Sequence, residues 1–428
     1  MKKALIISRY YLDLKDIASI RINGLAKFLP DFGWEPYILT AGSDSTELFQ
    51  SHINVFEAPY KDKVIKWKQM LNLNEDQSLN DSLNKRFHIR SKKDKLSFLN
   101  HISYIWAEIF CYPDSISSWR KPAVQLGRSI VERNSCDAII SSSGPPTCNL
   151  IANDLKEEYN LPWIADFRDL WTQNHNYRFS KFRRFFERRL EIGTLSQADA
   201  LTTVSEPLTG NLKYLYPNKS IFSIPNGFDP DQRNPGVPLA KKFTITYTGY
   251  IYPGRQDPDP LFQALSSLIS KGYLDPRDLS VDFYGYKYDW LDDNVKRFGL
   301  DDVVRINGSI TREDAIEVQR RSHLLLLLTW NNKEERGIYT GKLFDYLAAS
   351  RPILSVGMYG GVVEDLLKAT GAGLQSKTEQ DTEQIITYAY NEYKSKNTVS
   401  YNGISSEIDK YSHIEMARKF AAILDDLV

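Results

Sequence analysis

The chain has 428 residues, 42% of them apolar and 25% charged, with 54 basic side chains against 54 acidic ones. That length exceeds one ordinary core and suits two domains of roughly 200 residues each. Zero formal charge excludes a chain-wide field for gathering nucleic acid, and three irregularly spaced cysteines exclude a disulfide scaffold or a thiolate metal cluster.

The first apolar run, KALIISRY (3–10), is too short for a secretory signal and has no small-residue cleavage site after it, so it reads as a strand. SIRINGLAKFLPDFG (19–33) follows with helical periodicity, and WEPYILTA (34–41) is the next strand. A β-α-β opening of this kind predicts a parallel sheet with helices on its faces. Residues 61–96 are polar, basic and poor in core residues; they read as a polar insertion, either flexible or a long excursion of helices. Order returns with SYIWAEIF (103–110), a helical stretch over 120–133, and the strand CDAIISSS (136–143) ending in GPP. A helix from Thr147 and the strand PWIADFRD (162–169) come next. The basic, aromatic helix FSKFRRFFERRLEIGTLSQA (179–198) leaves two readings open: it lies on an anionic membrane surface, or it docks on the sheet with its charges in water. ADALTTVS (198–205) and SIFSIPNGFDP (220–230) are strand-like and close the first half.

Past the polar stretch 229–242 the αβ rhythm restarts. Strands FTITYTGY (243–250), SVDFYGY (280–286), VVRING (303–308), HLLLLLTW (323–330) and PILSVG (352–357) alternate with short helices. Unbroken apolar strands are expected where both faces of a sheet are covered, and the leucine run is far too short to span a membrane. The predicted fold is therefore α/β, two doubly wound Rossmann-like domains over 1–230 and 231–405. A C-terminal helix over 406–428 is expected to pack back toward the first domain. Such sheets bind ligands beyond the carboxyl ends of their strands, so a cleft between facing ends is expected.

The strand ends carry the candidate chemistry. After the strand at 243, Gly249 and Gly254 let backbone approach a ligand, and Arg255 suits paired contacts with phosphate oxygens; a tight turn with a surface arginine is the plainer reading. After HLLLLLTW, Gly337, Thr340 and Gly341 lead into a helix whose free N–H groups and dipole favour an anion. Lys342 in its first turn is less odd if an anion sits there, and Asp345 one turn on has the reach of a ribose diol. An i,i+3 salt bridge between the two explains the same spacing. GIYTGK has three residues between its glycines and Leu after its lysine, so it is not a P-loop, and no G-x-G-x-x-G follows the first strand. In the first half Asp166, Arg168 and Asp169 crowd one strand end, as a site or as an internal Asp–Arg pair. His175, His323 and His413 are too scattered to suggest a metal, and the DPD turns at 229–231 and 257–259 read as structural.

Taken in order, SIRINGLAKFLPDFGWEPYILT, LPWIADFRDLW, ADALTTVSEPL, IPNGFD, ITYTGYIYPGR, VVRINGS and GIYTGKLFDYLAASRPIL resemble the retaining GT-B glycosyltransferases of family 4, particularly bacterial members that build surface polysaccharides. The resemblance spans nearly the whole chain. It implies a GT-B fold, a nucleotide-diphosphate sugar on the second domain, a glycan or lipid-linked glycan acceptor on the first, and neither a metal nor another cofactor. With no signal or membrane span read in the sequence, a cytoplasmic protein is expected, and the basic segments 61–96 and 182–191 add the inner-membrane surface as a further contact. On this pattern Arg255 and Lys342 face the donor diphosphate, and Asp345 holds the ribose where the family usually has glutamate. Gly249 gives the donor access to the backbone, Tyr286–Lys287 and Asn307–Ser309 line the base pocket, and Gly337 to Thr340, with Gly341, face the sugar and phosphates. Arg168 and Asp169 orient the acceptor. One departure is larger: Gly337 stands where the family places a glutamate, with Glu334 and Glu335 just upstream. KDIAS (15–19) also replaces the usual glycine-rich turn before Arg21. Two rivals remain: a nucleotide-sugar epimerase with a similar diphosphate site, and a non-catalytic nucleotide-sugar-binding protein, which could keep the fold without the basic pair and against which Arg255 and Lys342 argue.

Overall fold

The computed structural model describes residues 1–11, 17–42, 54–70, 104–330, 332, 335–357 and 360–428. Its residues cluster into two compact units, Met1–Ile224 with Ala417–Val428, and Pro225–Met416.

The first unit holds seven parallel strands in the order β3-β2-β1-β4-β5-β6-β7. They are β1 Lys2–Ile7, β2 Trp34–Gly42, β3 Asn54–Pro59, β4 Ala138–Ser143, β5 Trp163–Phe167, β6 Ala200–Thr203 and β7 Ser220–Ser223. Helices on both faces bury β4 and β5 completely, and Trp119, Trp163 and Phe167 fill the core between them. This is why those strands carry apolar residues on both faces. β3 has no strong pattern of its own; pairing with β2 defines it. Of the polar stretch 61–96, Lys63–Met70 forms a helix, and the remainder lies outside the described residues.

The helix Lys181–Leu195 departs in part from the reading that it docks with its charges in water: Lys181, Arg184, Arg188 and Arg189 reach the surface, and three other charges do not. Arg183, Glu187 and Glu191 face inward, while Phe182, Phe185 and Phe186 face out. Arg183 and Glu187 are fully partnered, whereas Glu191 bonds through one oxygen only. Arg183 pairs with Glu187 at 2.5 Å and donates to the carbonyls of Ala107, Glu108, Cys111 and Pro113. Glu187 also accepts from Trp171 Nε1 at 3.1 Å, and Glu191 accepts from the Thr172 N–H at 3.2 Å.

The second unit holds six parallel strands in the order β10-β9-β8-β11-β12-β13. They are β8 Phe243–Thr248, β9 Leu279–Tyr284, β10 Val304–Gly308, β11 Leu324–Leu328, β12 Ile353–Val356 and β13 Gly373–Ser376. β11 separates two apolar layers. Leu324, Leu326 and Leu328 point into the one containing Phe243 and Phe262, and Leu325 and Leu327 into the one with Phe344 and Leu347. Both DPD turns are held by their first aspartate, which accepts the backbone N–H two residues on.

Candidate functional site

In the second sheet the strand order reverses between β8 and β11, the switch point where doubly wound sheets bind ligands. Gly249 turns the chain off β8 at φ +107°, and a Cβ there would lie 3.2 Å from Lys342 Cε. Glycine therefore makes room for the lysine. The loop that follows is pinned at two points. Tyr288 Oη donates to Ile251 O at 2.7 Å, and Gln256 Nε2 donates to Leu328 O at 2.8 Å while its Oε1 accepts from Tyr252 N. Arg255 is exposed on this loop, its guanidinium 4.7 Å from the Trp330 ring centre at the end of β11.

The helix Gly341–Ala349 buries Leu343, Phe344 and the run Tyr346–Ala349. That leaves Lys342 and Asp345 only partly buried. Thr340 precedes the helix in extended conformation and its side chain makes no cap; Leu343 N donates to Thr340 O at 3.1 Å, and the N–H groups of Gly341 and Lys342 are the ones that can meet a ligand. Lys342 Nζ sits 3.8 Å from the Tyr247 ring centre, donates to Tyr247 Oη, and lies 3.4 Å from Tyr250 O. Burial pushes its ammonium down to about 7 against the pull of Asp345. The hydroxyl of Tyr247 in turn donates to Tyr250 O at 2.8 Å.

Asp345 takes a different partner from the one its spacing suggests. Arg312 Nη2 donates to Asp345 Oδ1 at 2.8 Å, with Nη1 3.5 Å from Oδ2, so the carboxylate is bound across two helices. Burial pushes the Asp345 carboxyl up, and the Arg312 guanidinium opposes that shift. Tyr346, beside it, accepts the Thr248 N–H at 3.1 Å and fixes the helix to the end of β8. Arg312, Gln256, Tyr247 and Tyr346 escape a reading of the sequence because each meets its partner from far along the chain. Only the placement of Tyr247 and Gln256 at either end of the β8 loop was a usable signal.

At the neighbouring edge Gly285 N donates to Gly308 O at 2.9 Å, which brings the turns after β9 and β10 together. Tyr286 is exposed there and tilts against Tyr288 at 4.9 Å; Lys287 packs near Gly308. Asn307 is exposed and donates to Asp282 at 3.3 Å. Gly337 is buried, next to a concavity lined by Thr329, Trp330, Glu335, Arg336, Thr340 and Glu364. Glu335 is buried in that lining, whereas Glu334 lies outside the described residues.

In the first unit the cluster at the end of β5 separates. Asp166 is fully buried and takes a paired contact from Arg21, at 2.9 and 2.8 Å, with Thr202 at 2.8 Å. Its charge is thus neutralised inside the fold, which settles Asp166 as the internal pair. Arg168 is half-buried, donates to Gly144 O at 2.8 Å and lies 5.8 Å from the Tyr10 ring. Asp169 is exposed. Among the described residues no group of three or more His, Cys, Asp or Glu is arranged to hold a metal ion.

No protein-family model matches the sequence. No curated protein matches it either. Solved structures do. A glycosyltransferase from Rickettsia africae superposes with TM-score 0.61 at 14% identity, over 100% of this chain and 98% of that one. Anabaena Alr3699/HepE, solved with UDP and glucose, gives 0.62 at 12% over the whole of both chains. The fold is GT-B-like. The lipopolysaccharide outer core galactosyltransferase WaaB matches at 0.57 and 14%, again over the whole of both chains. Proteins of other activities, a sucrose-phosphate synthase among them, share the GT-B-like fold, so it supplies the architecture and the side chains must supply the function.

Proposed function

We propose that the chain is a retaining glycosyltransferase of the GT-B type, moving a sugar from a nucleotide diphosphate to a glycan or lipid-linked glycan in surface polysaccharide assembly. The observation that carries this reading is the setting of Lys342. Its ammonium lies in the first turn of an uncapped helix, bonded to a phenol and a carbonyl, while Arg312 occupies the carboxylate one turn on. A cation beside a helix N-terminus whose Thr340 side chain makes no cap suits a diphosphate. Anabaena HepE has been solved with UDP-glucose on a GT-B-like fold, which agrees with a donor of this class.

In this reading Lys342, Arg255 and the N–H groups of Gly341 and Lys342 stabilise charge on the departing diphosphate. The anomeric carbon–oxygen bond to that diphosphate breaks, and the acceptor oxygen takes its place on the same face. The acceptor's proton leaves toward the phosphate. Asp345, aligned by Arg312, accepts from the ribose diol, and the turns at Tyr286–Lys287 and Asn307–Ser309 border the base. Gly337 to Gly341 face the sugar, which is held either by backbone N–H groups or by a glutamate upstream of 337, and Glu335 lines the adjoining concavity. Arg168 and Asp169 orient the acceptor from the first unit.

A product assay separates the rivals. Incubation of the chain with a nucleotide sugar and acceptor glycan should give a lengthened glycan and free nucleoside diphosphate. An isomerised nucleotide sugar with no transfer would establish the epimerase instead.

A further inference from the structure

The helix Lys181–Leu195 is built inside out. Its charged residues Arg183, Glu187 and Glu191 are buried, whereas Phe182, Phe185 and Phe186 are 74%, 52% and 43% exposed. Singly exposed apolar side chains are ordinary, but three phenylalanines on one helical face are not. They pack edge-on against one another at 4.9 and 5.4 Å, forming one continuous surface.

That surface has a neighbour of the same character. Arg183 grips the carbonyls of Ala107, Glu108, Cys111 and Pro113, and Ser180 N donates to Glu108 at 3.2 Å. The helix over 104–110 is thereby fixed to the start of Lys181–Leu195, and it presents Ile109 and Phe110 at 62% and 54% exposure.

The charge around this face has one sign. Lys181 and Arg189 are exposed and Arg184 and Arg188 partly so, with Arg189 lying 4.4 Å from the Phe185 ring. The carboxylates of the two helices turn inward: Glu187 and Glu191 are buried, and Glu108 bonds Ser180. Exposed aromatic rings fringed by cations, with no exposed carboxylate on the helix Lys181–Leu195, match the boundary of an anionic bilayer.

We infer that Phe182, Phe185 and Phe186, with Lys181 and Arg189, seat the first unit on an anionic membrane surface. The rings enter the headgroup boundary and the cations meet the lipid phosphates. This is attachment from outside, since no helix among the described residues is long and apolar enough to cross a membrane. It needs no nucleotide and stands apart from the donor reading.

The test is vesicle flotation of the full chain, with phosphatidylcholine vesicles compared with vesicles also containing phosphatidylglycerol. Two variants run beside the parent: Phe182→Ser/Phe185→Ser/Phe186→Ser, and Lys181→Gln/Arg189→Gln. Unchanged melting temperatures show that both fold. The parent should float with the anionic vesicles, and either variant should bind at least about tenfold more weakly. Added salt should weaken the parent as well. Failure of the parent to float at low salt overturns the inference, and so does equal flotation by the triple variant. A parent that ignores vesicles but forms a dimer lost in the triple variant would assign this face to a second copy of the chain.

Discussion

At the residue scale the site turns on Lys342. Burial lowers its ammonium from 10.5 to about 7, so the folded chain gives up this proton near neutrality while the unfolded chain keeps it to about 10.4. Between those values the unfolded state binds more protons, and this group's contribution to stability therefore rises with pH. A bound diphosphate acts in the opposite direction and restores the ammonium. Binding of a nucleotide sugar at pH 8 should thus take up about one proton, and affinity should fall by up to about tenfold for each pH unit above 7. Calorimetric titration in two buffers of different ionisation enthalpy measures the uptake. The Lys342→Met variant should show none; uptake of the same size in that variant would place the titrating group elsewhere. The sequence made Lys342 and Asp345 visible through their position after a buried strand. It could not show Arg312, which opens the helix Arg312–Arg320 and reaches Asp345 across 33 residues of chain. Helical spacing pairs only near neighbours, and here the tertiary partner wins.

At the scale of elements, parallel strands were legible because burial on both faces leaves unbroken apolar runs such as that of β11. The facing of the helix Lys181–Leu195 stayed open in the sequence, because charged and aromatic residues mix along it. Only the tertiary structure supplies the carbonyls, N–H groups and hydroxyl that let Arg183, Glu187 and Glu191 turn inward. Asp166 gives a similar lesson. Beside Arg168 and Asp169 it resembles a site, yet it joins the helix Ile17–Phe28, β5 and β6 through Arg21 and Thr202. Removing one partner of such a buried pair strands a charge. Asp166→Ala should therefore cost about 3–5 kcal/mol of stability, measured by urea unfolding. A loss under about 1 kcal/mol, the range of an exposed pair, would contradict the structural role.

At the scale of the molecule, two doubly wound sheets followed from the repeating αβ rhythm and the GT-B arrangement from the family resemblance, and solved structures at 11–14% identity share that architecture. Fold and function separate at this level, since the same architecture serves several sugar chemistries. The reading of this chain rests on the carboxyl edge of the second sheet, where Lys342, Arg255 and the start of the helix Gly341–Ala349 come together. The most direct test is calorimetric titration of a panel of nucleoside diphosphate sugars into the parent chain and into Lys342→Met. At least one donor should bind the parent and bind the variant about 10- to 100-fold more weakly, the value of a charge-assisted phosphate contact. Equal affinity for both proteins, or no binding of any donor to the parent, would contradict the assignment.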